Sequence, residues 1–378
     1  VRSLELAVKY LSGLRLTGTE AERTALETTA PTTPPNDSWK EIGRFEVTGS
    51  ATNTFTVRGL SSATSGDMTA KDNLMILLHT EDSNSSGIRA RIRFNTTSAD
   101  STGKYSDKGQ DNGGTPTNRS GQDFTYFGEA DCNDQSLEIA YVRNRDDFPK
   151  ILNGESARTH GATLSQHASR YAFGAKWNDT AQVTKVHIQA HSTASNTFGV
   201  GTECVVLGCD DDEADSGDVF WDELGTTTPL VSSTSTMTAT FTGKKFMMGY
   251  AWTYGDGLAR NTLRINGATS GYGDRINSDG ADGDASWNGS LGMIRLQGAN
   301  TASRGKFSRF FMCKFSGKTP LVINFCTDDG GSGSGTEPVF FQSVGKSDST
   351  TAISNISIYN DESGNFGAGS YFKIWGHD

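Results

Sequence analysis

The densest run of potential ligands in the chain is Asp279-Gly280-Ala281-Asp282-Gly283-Asp284, with Asp274 and Asn277 just upstream. Carboxylate oxygens on a Gly-rich backbone suit Ca²⁺, which takes roughly six to eight hard ligands, and Asp274, Asp279, Asp282 and Asp284 are the candidate set. The spacing departs from an EF-hand loop, because Ala281 stands where a ligand belongs and no closing Glu follows; a solvated acidic loop is the competing reading. His187 and His191 lie four apart, a spacing that gathers metal ligands on a helix but not in or beside a strand. No Gly-Xaa-Ser-Xaa-Gly elbow with partner His and Asp occurs, and no His-Glu-Xaa-Xaa-His pair. Gly199-Val200-Gly201 and Gly367-Ala368-Gly369 lack the third glycine of a phosphate loop and read as turns between strands. The abundance of Asp says little about glycoside hydrolysis, which depends on a carboxylate separation that spacing does not give. No recognisable catalytic apparatus emerges, so the expectation is a non-enzymatic protein.

Rings offer a different route to function. Tyr105, Tyr126, Phe127, Tyr272 and Trp287 fall in stretches rich in Gly, Asn and Asp. Flat rings beside amides and carboxylates are what a sugar-binding surface uses, which makes Tyr105, Tyr272 and Trp287 candidate glycan contacts; loop anchoring is the plainer alternative. At the N-terminus, Leu4, Val8, Leu11 and Leu14 recur at helical spacing between Arg2, Glu5, Lys9 and Arg15. This predicts a short amphipathic helix whose apolar stripe anchors or oligomerises the chain, because so short a helix is marginal alone in water. Residues 1–38 are therefore read as an arm that ends in the Pro-rich linker Ala30-Pro31-Thr32-Thr33-Pro34-Pro35.

The elements that must position these residues come from an internal repeat. Trp39-Lys40-Glu41-Ile42-Gly43 corresponds to Trp221-Asp222-Glu223-Leu224-Gly225, and Leu74-Met75-Ile76-Leu77-Leu78 to Phe246-Met247-Met248-Gly249-Tyr250. Ile92-Arg93-Phe94-Asn95 matches Leu263-Arg264-Ile265-Asn266, and Tyr105-Ser106-Asp107-Lys108 matches Tyr272-Gly273-Asp274-Arg275. Phe198-Gly199-Val200-Gly201-Thr202 matches Phe366-Gly367-Ala368-Gly369-Ser370, each before a closing strand. Arg89, Arg91 and Arg93 alternate with Ile88, Ala90 and Ile92, the period of a half-buried strand. The predicted fold is all-β: two tandem duplicated antiparallel β-sandwich, jelly-roll-like domains at 39–217 and 218–378, preceded by the helical arm. A closed barrel is the alternative.

Bulk properties fit that plan. Only 34% of the 378 residues are hydrophobic, with Gly at 44 and Phe at 20, a balance that favours short strands and turn-rich loops. A net charge of -10 with scattered Lys and Arg argues against nucleic acid. No apolar run reaches the roughly 18 residues of a membrane span, so no membrane insertion is expected. Five cysteines without metal-type spacing argue against a disulfide scaffold, although Cys313 and Cys326 fall in adjacent strand-like runs where a cross-strand bridge competes with free thiols.

The C-terminal block of each copy, typified by Ile353-Ser354-Asn355-Ile356-Ser357-Ile358, Asn365-Phe366-Gly367-Ala368-Gly369-Ser370 and a strand ending at Gly376, resembles an element of β-sandwich virion surface proteins of tailed viruses, especially environmental ones. Thr19-Glu20-Ala21-Glu22-Arg23-Thr24-Ala25-Leu26 with the linker and Ser38-Trp39-Lys40-Glu41-Ile42-Gly43 is similar to the start of such proteins. The resemblance covers the domain boundaries better than their middles. It implies an architectural or adhesive role at a virion surface, as decoration, fibre, or capsid- or tail-associated subunit. Its partners would be further copies of itself, trimers included, and other virion or surface-layer subunits, with a cell-surface glycan as a further candidate. The competing readings are a secreted cell-surface or filament-forming β-sandwich protein, extracellular in location, and a polysaccharide-binding module.

Overall fold

The computed structural model describes residues 39–60, 66–83, 87–97, 103–112, 114–128, 134–159, 168–191, 196–210, 220–278, 285–297, 301–302, 305–328 and 339–378, together with the backbone of 7–9 and 15–17; the side chains of 285–291 and 301–302 are not described. The described chain is all-β and its strand pairs are antiparallel.

The first half contains β1 (Lys40–Glu46), β2 (Thr54–Gly59), β3 (Asn73–Glu81), β4 (Ala90–Phe94), β5 (Tyr105–Asp111), β6 (Thr117–Gln122), β7 (Thr125–Tyr126), β8 (Gln135–Arg143), β9 (Lys150–Arg158), β10 (Ser169–Trp177), β11 (Val186–Ala190) and β12 (Glu203–Cys209). The second contains β13 (Asp222–Thr226), β14 (Thr236–Thr240), β15 (Phe246–Asp256), β16 (Asn261–Ile265), β17 (Tyr272–Ser278), β18 (Ala285–Leu291), β19 (Ile294–Arg295), β20 (Gly305–Cys313), β21 (Leu321–Asp328), β22 (Val339–Ser347), β23 (Asn355–Asn360) and β24 (Tyr371–His377). In the first half the order is β6-β5-β10-β9-β8-β3-β12-β1 in a large sheet and β2-β11-β4-β7 in a small one, joined through a β1–β2 contact. The second half repeats both orders strand for strand, as β18-β17-β22-β21-β20-β15-β24-β13 and β14-β23-β16-β19.

Side-chain parity explains the layering. Leu74, Ile76 and Leu78 of β3 point toward Ile92, Phe94, Val186 and Ile188 of the small sheet, forming the first core. Met247, Ala251, Phe310 and Met312 meet Leu263, Ile265, Ile356 and Ile358 in the corresponding core of the second half. The other faces of the two large sheets are apolar as well. Met75, Leu77, Leu137, Ile139, Val205 and Leu207 pack with Phe246, Met248, Phe311, Ile323, Val344 and Trp375 in a third core between the halves. Burial on both faces is why the central strands read as continuous apolar runs.

The same local devices shape both halves. Asn95 and Asn266 adopt left-handed backbone (φ 58° and 52°), and their Oδ1 atoms accept N–H bonds from Thr184 and Lys185 and from Ser354 and Asn355. In the Phe-Gly-Xaa-Gly turns, Gly201 and Gly369 sit at φ 95° and 85°, a region that favours glycine. The turn amides of Gly199 and Gly367 bond the Glu81 and Tyr254 carbonyls at 2.7 Å.

Two expectations are corrected, the helical arm and one block of the repeat: Gly208 faces Leu74 as Gly376 faces Met247, so Leu74 matches Met247 and not Phe246. Where the arm is described it is not helical: Ala7–Lys9 pairs antiparallel with Arg15–Thr17, Val8 lying opposite Leu16. Leu4, Leu11 and Leu14 lie outside the described residues. Cys313 and Cys326 are free. They sit on opposite faces of the second large sheet, Cys313 in the third core and Cys326 with Ile276 and Phe341, so no bridge spans them.

Candidate functional site

The sugar-contact candidates from the sequence are not at the surface. Tyr105 and Tyr272 start β5 and β17 and are fully buried. Each hydroxyl accepts a 2.8 Å bond from a small-sheet amide, Phe94 N–H for Tyr105 and Ile265 N–H for Tyr272, and the Tyr272 hydroxyl also donates to the Ile265 carbonyl at 3.1 Å. Both tie the large sheet to the small one, and burial pushes the Tyr272 phenol pKa up. Trp287 lies in β18, its backbone opposite Asp274, and its side chain is outside the described residues. Phe127 is buried. Tyr126 lies under two guanidinium groups, Arg89 at 3.4 Å and Arg119 at 3.5 Å from its ring centroid.

The acidic candidates separate in the same way. Asp274 is fully buried, and Arg295 engages both its oxygens: Nη2 donates to Oδ1 at 2.7 Å, while Nε at 3.0 Å and the backbone N–H at 2.8 Å donate to Oδ2. Asp279, Asp282 and Asp284 lie outside the described residues. Among the described residues no three His, Cys, Asp or Glu side chains come together as a metal site. His187 sits between the Thr54 and Thr56 hydroxyls, each at 3.0 Å, and its pKa is lowered to about 4 by burial and by Arg93.

Two features that the sequence reading missed stand together on the inter-half faces of the large sheets. The first is a cleft of about 410 Å³, lined by Lys108, Tyr141, Asn153 and Glu155 from the first half and Arg309 and Gln342 from the second. Gln342 clasps the two walls, its amide nitrogen donating to Glu155 and its oxygen accepting from Arg170 at 3.0 Å. The Arg309 guanidinium lies 5.0 Å from the Phe325 ring and 5.5 Å from those of Tyr141 and Phe311. Burial drives the Tyr141 phenol up to about 12, against the pull of Arg309. At neutral pH this hydroxyl is a hydrogen-bonding group rather than a base.

Beyond the cleft, the second large sheet carries a row of exposed side chains. Strand register sets Tyr371, Trp252, Phe307, Thr327 and Phe340 side by side across β24, β15, β20, β21 and β22. All five are exposed, as is Tyr254 one step along β15. At about 4.8 Å per strand the row spans roughly 19 Å. Its chemistry is that of a contact surface: rings that gain from desolvation, bordered by Arg309, Gln342 and Lys373. The alternation Tyr250, Trp252, Tyr254 and Phe307, Arg309, Phe311 carried this signal in the sequence, because period two places each trio on one face.

No family model matches the chain, and no curated protein matches it. Among solved structures it aligns with a two-domain fragment of extended-synaptotagmin 2 at 7% identity and a TM-score of 0.13, over 84% of this chain and 95% of that one. It also aligns with OccAB4 of Acinetobacter baumannii at 8% identity and a TM-score of 0.10, over 81% and 98% of the two chains. A loop-deletion mutant of OmpT, an outer membrane protein of Vibrio cholerae, gives 9% identity and a TM-score of 0.09, over 80% and 100%. Scores this low establish no common fold.

Proposed function

We propose that the chain is a non-enzymatic structural subunit displayed on a virion surface, built from two copies of one jelly-roll-like sandwich and attached through its N-terminal arm. The observation that carries the reading is the third core: two β-sandwich halves that each complete an interior of their own are also joined sheet to sheet by Met75, Leu77, Val205, Phe311, Ile323 and Trp375. Such a block suits a force-transmitting or spacer part, since the halves move as one unit when a large apolar interface joins them. The aromatic row gives it a surface on which to meet a partner. The sequence resemblance of the domain boundaries to virion surface proteins supplies the location. A secreted surface or filament-forming subunit is the competing reading and uses the same block.

Immunogold labelling of purified particles with an antibody to residues 39–378 tests this reading. Labelling at regular surface positions is expected, and loss of labelling after deletion of residues 1–35 assigns attachment to the arm. Labelling of cell-surface filaments without particles would overturn the virion location, and turnover of a polysaccharide by the pure chain would overturn the non-enzymatic assignment.

A further inference from the structure

Aligning the halves on their common strand order gives the aromatic row a counterpart. Glu203 and Tyr371 each stand two residues after the Phe-Gly-Xaa-Gly turn, and register leads from Glu203 across His79, Leu137, Ala157 and Arg170 just as it leads from Tyr371 across Trp252, Phe307, Thr327 and Phe340. The first row is covered by the second half. Lys245 Nζ donates to Glu203 at 2.8 Å, Phe315 stacks on His79 with ring centroids 3.7 Å apart, Leu137 and Ala157 lie in the third core, and Arg170 donates to Gln342. Among the described residues the second row is far more open: Trp252, Phe307, Phe340 and Tyr371 are 43%, 44%, 40% and 36% exposed, against 1% or less for His79, Leu137, Arg170 and Glu203.

The covering surface also has an exposed twin. Phe315 and Leu321 cover the first row from the β20–β21 turn, Leu321 opening β21 opposite Cys313. In the first half Ile151, opposite Arg143, matches Leu321; the β8–β9 turn also carries Phe148, at the place of Lys318, while Arg145 stands where Phe315 does. Phe148 and Ile151 are 59% and 55% exposed, whereas Leu321 is fully buried. One chain thus uses one row and one turn to join its halves and leaves the equivalent row and Ile151 of the equivalent turn exposed. Rings of about 200 Å² each, exposed to this extent, offer on the order of 350 Å² of apolar surface, a large part of a roughly 800 Å² partner footprint once the polar rim is added.

We propose that the Trp252 row docks on the Phe148–Ile151 turn of a second copy of this chain, repeating between chains the contact that joins the halves within one. This rests on the structural-subunit reading and names its partner surface. The partner is complementary rather than identical, so contacts of this kind run head to tail.

The chain of residues 1–378 and two variants, Trp252→Asp with Phe307→Asp, and Ile151→Asp, are compared by sedimentation velocity between about 1 and 100 µM, a range chosen as that of weak self-association. All the substituted side chains are exposed, so circular dichroism melts should match wild type. Wild type is expected to associate with concentration, and each variant to associate at least about tenfold more weakly, as loss of central aromatic or aliphatic anchors does. Mixing the two variants should restore a single interface, because one supplies an intact turn and the other an intact row. Association unchanged in both variants, a mixture that stays dissociated, or loss with the row variant alone overturns the proposal. So does a monomeric wild type, including one whose row binds soluble β-glucan in a Trp252-dependent way. A chain that still decorates particles with both variants present overturns this interface and leaves the subunit reading standing.

Discussion

Protonation of one histidine between the halves should cost stability as the pH falls. His79 is fully buried between them, its ring stacked at 11° on Phe315, with Nδ1 3.3 Å from the Gly201 carbonyl and Nε2 3.3 Å from the Gln135 amide oxygen. Burial lowers its pKa from 6.5 to about 4. Because the folded pKa is depressed, the unfolded chain takes up the proton first. The stability owed to neutral His79 is complete above about pH 6.5, falls as pH drops through the interval down to about 4, and is gone below it. At about 1.36 kcal/mol per pH unit between the two values, the loss is about 3 kcal/mol. Glu81 works in the opposite sense: burial raises its carboxyl to about 7, so the folded state binds that proton first and acidification from pH 7 to 4.5 relieves a cost. Since Glu81 Oε1 lies 3.4 Å from His79 Nε2, wild type and His79→Gln are compared with both carrying Glu81→Gln, so that only the ring differs; Gln keeps a neutral hydrogen-bonding side chain at position 79. Urea unfolding followed by tryptophan fluorescence at pH 7.5, 6, 5 and 4, in steps of about one unit chosen to bracket both pKa values, gives the stability difference between wild type and variant. That difference should shift by about 3 kcal/mol in favour of the variant between pH 7.5 and 4. A difference constant with pH would refute the argument that burial keeps this ring neutral.

Further outcomes follow from the same contacts. Phe311→Ala should cost about 3–5 kcal/mol by opening a cavity in the third core, and should split one unfolding transition into two as the halves uncouple, which calorimetry would show. Asp274→Asn should cost about 3–5 kcal/mol by leaving Arg295 buried without its counter-charge, read as a lowered urea midpoint. Any melting shift produced by Ca²⁺ should survive that substitution, because the Asp274 carboxylate is already occupied by Arg295. Tyr105→Phe should cost about 1–3 kcal/mol, the penalty of an unsatisfied Phe94 N–H, with glycan-array profiles unchanged from wild type.

Strands and turns were legible because their signals are local. The Arg89-Xaa-Arg91-Xaa-Arg93 alternation leads into and through β4, and the Phe-Gly-Xaa-Gly blocks are turns with glycine at positive φ where the second Gly stands. What stayed hidden depends on partners distant in sequence. Tyr105 lies among Gly, Ser and Asp, as a loop residue would, yet Tyr105, Asp107 and Gly109 alternate inward along β5. Nothing near Asp274 in sequence announces Arg295, 21 positions away, as its counter-ion. Sequence left a bridge and free thiols both open for Cys313 and Cys326, and strand parity, which places them on opposite faces, decides for free thiols. The arm shows the limit of periodicity in short segments: apolar spacing near Val8 fits a helix, and the described backbone is an antiparallel pair. The third core had a readable sign, since Leu74-Met75-Ile76-Leu77-Leu78 is apolar without alternation and a strand of that kind is buried on both faces.

The chemistry of the two equivalent rows differs in a way that the proposed contact between copies explains. Within a chain the halves are tethered, so the effective concentration of one for the other is high, and the row has to fix an orientation more than to supply affinity. Glu203 with Lys245, His79 with Phe315 and Arg170 with Gln342 are contacts of that type, each matched to one group at one distance. A row that must capture a free partner has no tether and relies on desolvated area, which large rings provide with little side-chain entropy to lose. Tyr371, Trp252, Phe307 and Phe340 are residues of that type, and they match Glu203, His79, Leu137 and Arg170 of the first row. Both frames keep the same tyrosine latch, asparagine cap and glycine turn, so the difference between the rows lies in what covers them and not in the strands that carry them.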